Sequence, residues 1–210
     1  MSRKPFPVLA AVLLLAVALS AVSPVNPKDY WIEIAVPVAG FVALAATYRR
    51  LRFTSLSYVL MFGEALVLVV GAHYTHERVP LFDWLKPVFG WERNHFDRFA
   101  HFAVGFLMVV PVREVLARFT PLRGRALGLL SVVCLLAFAG FYEITEWWIA
   151  VAASPDTAEA YLGSQGDPWD AQKDMLMDTL GAVAGVVALS RRHERALSER
   201  GRATEPSAPA

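Results

Sequence analysis

The chain has 210 residues, 56% of them hydrophobic, which is too apolar for an ordinary soluble domain of this length and points to an integral membrane protein. Lys+Arg 20 against Asp+Glu 19 gives a formal net charge of +1, so nothing in the overall balance favours nucleic acid, and none is expected as a partner. The single cysteine, Cys134, excludes an intrachain disulfide and reads as a small packing residue in an apolar run.

A membrane-crossing helix needs about 20 mostly apolar residues. Six stretches qualify in chain order: 6–23, 30–48, 55–72, 96–116, 126–150 and 170–190. The expected fold is an all-α bundle of about six transmembrane helices, a single polytopic domain over residues 1–192, with the lipid bilayer as its surroundings. The first stretch also has the form of a signal peptide, with a basic start, an apolar centre and small residues from Ser20 to Ser23. Its removal would leave the orientation of the other five unchanged. Residues 193–210 mix charges with Pro206 and Pro209 and have little to bury, so they are expected to form a disordered tail.

Orientation follows from the basic residues. Arg3 and Lys4 precede the first stretch, Arg49, Arg50 and Arg52 follow the second, Arg113, Arg118, Arg123 and Arg125 follow the fourth, and Arg191, Arg192 and Arg195 follow the sixth. The positive-inside rule makes all four groups cytoplasmic, and with them both termini. The loops 24–29, 73–95 and 151–169 then face outward, and the last contains Asp156, Glu159 and Asp167 with no basic residue.

Seven carboxylates lie in or at the ends of the apolar stretches on the outer side: Glu64, Asp97, Glu143, Glu146, Asp170, Asp174 and Asp178. Each costs roughly 2.5–3.5 kcal/mol at a helix centre, so an accidental cluster of this size is not expected. Asp170, Asp174 and Asp178 repeat every four residues, which places them on one helical stripe continued inward by Gly181 and Gly185. Asp97 and His101 repeat the spacing, with Gly105 next on that face, while Glu143 and Glu146 share a face of the fifth stretch. At about 1.5 Å of rise per residue, Asp178 lies about 12 Å below Asp170, and Glu64 about 12 Å below Ala72. The groups outline a funnel opening outward.

The cations expected at that depth are Arg98 and Lys173, with His101 able to carry a proton, too few to neutralise seven acids. Three readings follow: ion pairs that fix helix register, a site for a cation or other ligand built from Glu64, Asp97, Arg98, His101, Asp170, Asp174 and Asp178, or proton-coupled chemistry or proton- or cation-coupled transport. A possible divalent metal would take His101, Asp170 and Asp174, because carboxylates suit hard cations and an imidazole extends the range to zinc or manganese. His73, His76 and His95 could close the site from above. Trp91, Trp147, Trp148 and Trp169 sit where an interfacial aromatic belt belongs.

The segments AHYTHERVP, DWLKPVFGWERNHFDRFAHFAVGF, FYEITEWW and LGSQGDPWDAQKDMLMDTLGA resemble the YjdF-like bacterial inner-membrane proteins, a family defined by a domain of unknown function. The resemblance runs from the second stretch to the sixth, and it implies a multi-pass protein of the bacterial inner membrane without implying an activity. The elements Asp97, Arg98, His101 and Phe102, then Glu143 or Glu146, then Asp170, Asp174, Asp178 and Gly181 are also similar to a pattern in VanZ-like membrane proteins. Asp178 departs from that pattern, in which an Asn is expected, and the GWERNHF loop is extra.

As an enzyme, the site would act on an envelope lipid or lipid-linked glycan, with Glu143 or Glu146 as general base and the cation polarising a phosphoryl or carbonyl oxygen. The sequence has no Gly-x-Ser-x-Gly elbow and no His-Glu-x-x-His motif. It also shows no inverted repeat of the kind transporters use. The expectation is an outward-facing binding site whose ligand is a cation or an envelope lipid or glycan.

Overall fold

The computed structural model describes residues 6–152 and 162–204, and among these every regular element is a helix. They are α1 (Phe6–Ser20), α2 (Pro27–Thr47), α3 (Ser55–Tyr74), α4 (Pro80–Phe89), α5 (Phe96–Phe119), α6 (Gly124–Ala152) and α7 (Asp170–Thr204). Arg3, Lys4, Asp156, Glu159 and residues 205–210 lie outside the described residues. Local chemistry sets the helix starts. Asn26 caps α2 through its Oδ1, which accepts from the Lys28 N–H at 3.1 Å, and Pro27 occupies the first turn. Thr54 caps α3, its hydroxyl accepting from the Ser57 N–H at 3.3 Å.

Helices α2, α3, α5 and α6 are each long and apolar enough to cross a membrane. The α1 helix has 15 residues and ends at Ser20, where the hydroxyl donates back to the Val17 carbonyl at 2.9 Å, rather than running on to residue 23. The α7 helix carries Asp170, Lys173, Asp174 and Asp178 in its first nine residues and is less apolar as a result.

Two sequence expectations are corrected. The loop 73–95 contains α4, which Pro80 opens and Gly90 closes in the left-handed conformation at φ 66°. Leu81, Trp84 and Val88 project from one exposed face of it. The second correction concerns the tail, where α7 continues as helix from His193 to Thr204. A buried polar socket on α5 explains this. Arg113 bonds His193 Nδ1 at 2.8 Å and donates to Glu194 at 2.7 Å, and the fully buried Glu114 lies 3.8 Å from His193 and 3.3 Å from Arg200. Glu114 also accepts from the Thr54 N–H and hydroxyl, both at 2.8 Å, and from Ser57 and Arg118.

Helix α3 joins two packed units. On one side Leu13, Tyr30, Ile34, Val69 and Ala72 knit α1 and α2 to α3. On the other, Val109, Val110, Leu135, Ala182 and Leu189 form the core of α5, α6 and α7. The α5–α7 crossing is a backbone contact. A Cβ on Gly105 would stand 1.9 Å from the Asp178 carbonyl oxygen, and one on Gly181 would stand 2.1 Å from that of Phe102. Only glycine permits this approach, and it brings His101 against Asp178.

Candidate functional site

The N-terminal ends of α5 and α7 meet beneath the α4–α5 turn and the segment that precedes α7. Gly163, Gln165 and Gly166 all have positive φ and fold that segment back. Gln165 then clamps it to the buried Asn94, its Oε1 accepting from the Asn94 N–H at 2.8 Å and its Nε2 donating to the Asn94 carbonyl at 3.0 Å. This clamp places Asp167 above α5.

The upper tier is a set of ion pairs. Arg98 pairs with Asp170 and Asp174, and it reaches Asp167 at 3.3 Å and Asp97 at 3.6 Å. Arg93 lies 2.7 Å from Asp170, 3.6 Å from Asp97 and 3.7 Å from Asp167, while Lys173 holds Asp167 at 2.6 Å. The Lys173 ammonium and the Trp169 N–H depress the pKa of Asp167 below the ordinary carboxylate value. Asp97 and Asp170 sit in the first turns of α5 and α7, where helix dipoles favour negative charge.

The lower tier is built differently. Asp178 accepts from His101 Nδ1 at 2.9 Å, which leaves Nε2 directed toward Asp97 at 3.7 Å and Asp174 at 3.9 Å. Ligand atoms of these three residues all lie within 4.8 Å of one another. A carboxylate behind an imidazole, fixing which nitrogen is free, is the arrangement that orients metal-binding histidines. Asp170, which the sequence reading grouped with His101 and Asp174, is paired to both arginines and is not one of these three.

Deeper still, Glu64 is 4% exposed, and neither of its carboxylate oxygens has a hydrogen-bond partner among the described residues. One oxygen of Glu143 is likewise buried and without a partner. Glu64, Asp97, His101, Glu146 and Asp178 line a common cavity of about 590 Å³ together with Glu33 and His76. The structure thus brings together Glu64, Asp97, Arg98, His101, Asp170, Asp174 and Asp178.

The loop histidines part company. His76 lies 2.9 Å from Glu33; burial opposes its charge, yet the Glu33 carboxylate outweighs this and holds the imidazole above its ordinary pKa. His73 turns away to the Ser20 carbonyl at 2.8 Å. His95 stacks edge-on against Trp91, and burial together with Arg93 and Arg98 keeps its pKa below the usual value. Trp147, Trp148 and Trp169 are exposed.

Sequence reasoning missed Glu33, Arg93 and Gln165, and it read Asp167 as a loop residue outside the site. Glu33 was open to detection, since it lies inside the stretch 30–48, and Arg93 precedes Asp97 by four residues. With Arg93 and Asp167 added, the two tiers and the residues below them hold Arg93, Arg98, Lys173 and His101 against Glu64, Asp97, Glu143, Glu146, Asp167, Asp170, Asp174 and Asp178. Carboxylates still outnumber their cations, and the excess sits in the lower tier.

Residues 6–195 match a family model described as "Predicted membrane protein (DUF2238)". The chain is also 36% identical over 189 residues to "Inner membrane protein YjdF" of Escherichia coli (strain K12), a match covering 90% of each chain. No solved structure matches it. A family match over nearly the whole length, together with the four apolar helices, shows that this chain belongs to the DUF2238 family of predicted membrane proteins.

Proposed function

We propose that the chain is a multi-pass inner-membrane protein whose outer half holds a cation in a site made by Asp97, His101 and Asp174. In this reading α1 and α7 cross the membrane along with α2, α3, α5 and α6, and both termini are cytoplasmic. The clusters Arg49, Arg50 and Arg52, Arg123 and Arg125, and Arg191 and Arg192 support that orientation. The exposed apolar face of α4 suits an interfacial helix on the outer surface.

The observation that carries the cation site is the His101 pairing. Asp178 occupies Nδ1, and Nε2 is left facing two carboxylates. Asp97 and Asp174 supply hard oxygen donors, and His101 adds the nitrogen that zinc or manganese accepts. Charge supports the same reading, because a cation offsets the excess of buried carboxylates that Arg93, Arg98 and Lys173 leave over. Glu143, with a buried oxygen that lacks a partner, favours a second reading in which it serves as general base beside the cation. Glu146, which lines the cavity, is its alternate. The bound cation would there polarise a phosphoryl or carbonyl oxygen of an envelope lipid or lipid-linked glycan.

The test is elemental analysis of the full chain purified without chelator. Wild-type protein should carry near-stoichiometric divalent metal, and Asp97→Asn and His101→Ala should each remove it while the protein stays folded. A folded, monodisperse wild-type preparation that holds no metal, and takes up none when zinc, manganese, magnesium or calcium is added, ends the proposal.

A further inference from the structure

The cavity that touches the cation site continues inward. Its inner part is lined by α1, α2, α3 and α5, and α6 adds Phe138, Ala139, Tyr142 and Glu146 further out. Along α2 its lining runs from Glu33 to Thr47, fourteen residues or about 21 Å at the helical rise. One leaflet of a hydrocarbon core about 30 Å thick is shallower than that.

The polarity of the lining is graded. Glu33, Glu64, His76, Asp97, His101 and Asp178 stand toward the outer end. Below Glu64 the groove is lined by groups such as Ala43, Leu44, Met61 and Met108, and the hydroxyls of Thr47 and Tyr58 are turned to backbone groups of Ala43 and Phe53. Protein interiors are close-packed, so a slot of this size is not ordinary core. At Gly40 nothing lies within 4 Å of where a Cβ would be, so the slot is open there. Its volume of about 590 Å³ falls within the range of ligand cavities.

We infer that this cavity holds one membrane lipid with a phosphate-bearing head, its hydrocarbon chain laid along the groove between α1, α2, α3 and α5 and a phosphate oxygen bound to the cation of Asp97, His101 and Asp174. The inference rests on the cation reading above. The lower groove offers a chain mostly apolar contact, and its length exceeds a leaflet, which selects a long chain over a compact solute. At the outer end the carboxylates alone would repel an anionic head. Three protein ligands leave positions open on a hard cation, which takes six or more oxygens, and a phosphate oxygen fills one. Glu64, buried without a partner among the described residues at the junction of the two regions, marks where the lining changes from polar to apolar.

The experiment measures metal and extractable lipid by mass spectrometry on the same samples of full-length protein, purified in mild detergent without chelator. Wild type should carry both metal and a phosphate-headed lipid. Gly40→Phe, which fills the groove away from the cation site, should keep its metal while bound lipid falls about tenfold, the change that a loss of about 1.4 kcal/mol produces. Asp97→Asn should lose metal and lipid together. Metal retained with wild-type lipid content in Gly40→Phe overturns the groove assignment and leaves the cation reading standing. Lipid retained in metal-free Asp97→Asn, or bound lipid without phosphate, overturns the head assignment. A metal-free wild type overturns both proposals. Should Gly40→Phe fail to fold, wild-type protein crosslinked to a phospholipid with a photoreactive chain decides the matter. Adducts on Leu44 and Met108 are expected, and adducts confined to outward-facing positions such as Val42 refute it.

Discussion

Adding one methyl group at Gly105 tests how the α5–α7 contact governs the site. Its Cβ would stand 1.9 Å from the Asp178 carbonyl oxygen and 2.7 Å from the Ala182 nitrogen, both backbone atoms that no rotamer change can move. Restoring an ordinary carbon–oxygen contact of about 3.3 Å requires the helices to part by about 1.4 Å. Overpacking of this kind costs about 1–3 kcal/mol, or roughly 2–4 °C of Tm per kcal/mol for a chain this size. The same displacement carries the 2.9 Å contact between His101 and Asp178 out of hydrogen-bond range. Losing such an orienting partner lowers metal affinity about 10–100-fold. Gly105→Ala should therefore lose thermal stability in detergent and cation affinity together. Gly40→Ala is the control: with nothing within 4 Å, it should be neutral or stabilising by up to about 1 kcal/mol. A Gly105→Ala protein with wild-type melting and wild-type metal content would refute the reasoning.

Two further outcomes follow from charged contacts outside the proposed cation site. The folded pKa of His76 is raised by Glu33, so the pairing should stabilise the fold fully below the unfolded value of about 6.5 and lose that contribution as pH rises through the folded value. The gap in melting temperature between wild type and His76→Gln should accordingly be widest near pH 5.5 and close toward alkaline pH; a gap that widens with pH would reverse the assignment. At the other end, Glu114→Gln removes the charge that Arg118, Arg200 and His193 surround, a loss of about 3–5 kcal/mol for a broken buried pair. Limited proteolysis should then cut α7 beyond Leu189, and a cleavage pattern identical to wild type would count against the socket.

The long apolar stretches were readable because their composition alone sets helix and length, and α2, α3, α5 and α6 appear close to their expected bounds. The stripe of Asp170, Asp174 and Asp178 was readable because a spacing of four survives any helical packing. Asp97 and His101 followed for the same reason. What spacing could not reveal was the partner across the interface. Arg93 and Asp167 come from turns, and only the clamp of Gln165 on Asn94 brings them over α5. The α4 helix was hidden because Pro80 and Pro87 in a ten-residue segment look like loop, although Pro80 sits at a position where proline favours a helix start. The tail misled composition outright. His193, Glu194 and Arg200 are polar and look as if they had nothing to bury, yet Arg113 and Glu114 of α5 supply a polar lining eighty or more residues away in sequence.

Helix α7 is seated at two places, by Asp174 and Asp178 near its beginning and by His193 further on. These anchor points are nineteen residues apart from Asp174 to His193, about 28 Å of uninterrupted helix, and every residue advances the screw by about 100°. The number of residues between the two seats is therefore as constrained as their chemistry. Insertion or deletion of a single amino acid in the segment Ala182–Leu189 would leave each end intact yet rotate one of them out of its socket, so this apolar stretch serves as a gauge of fixed length.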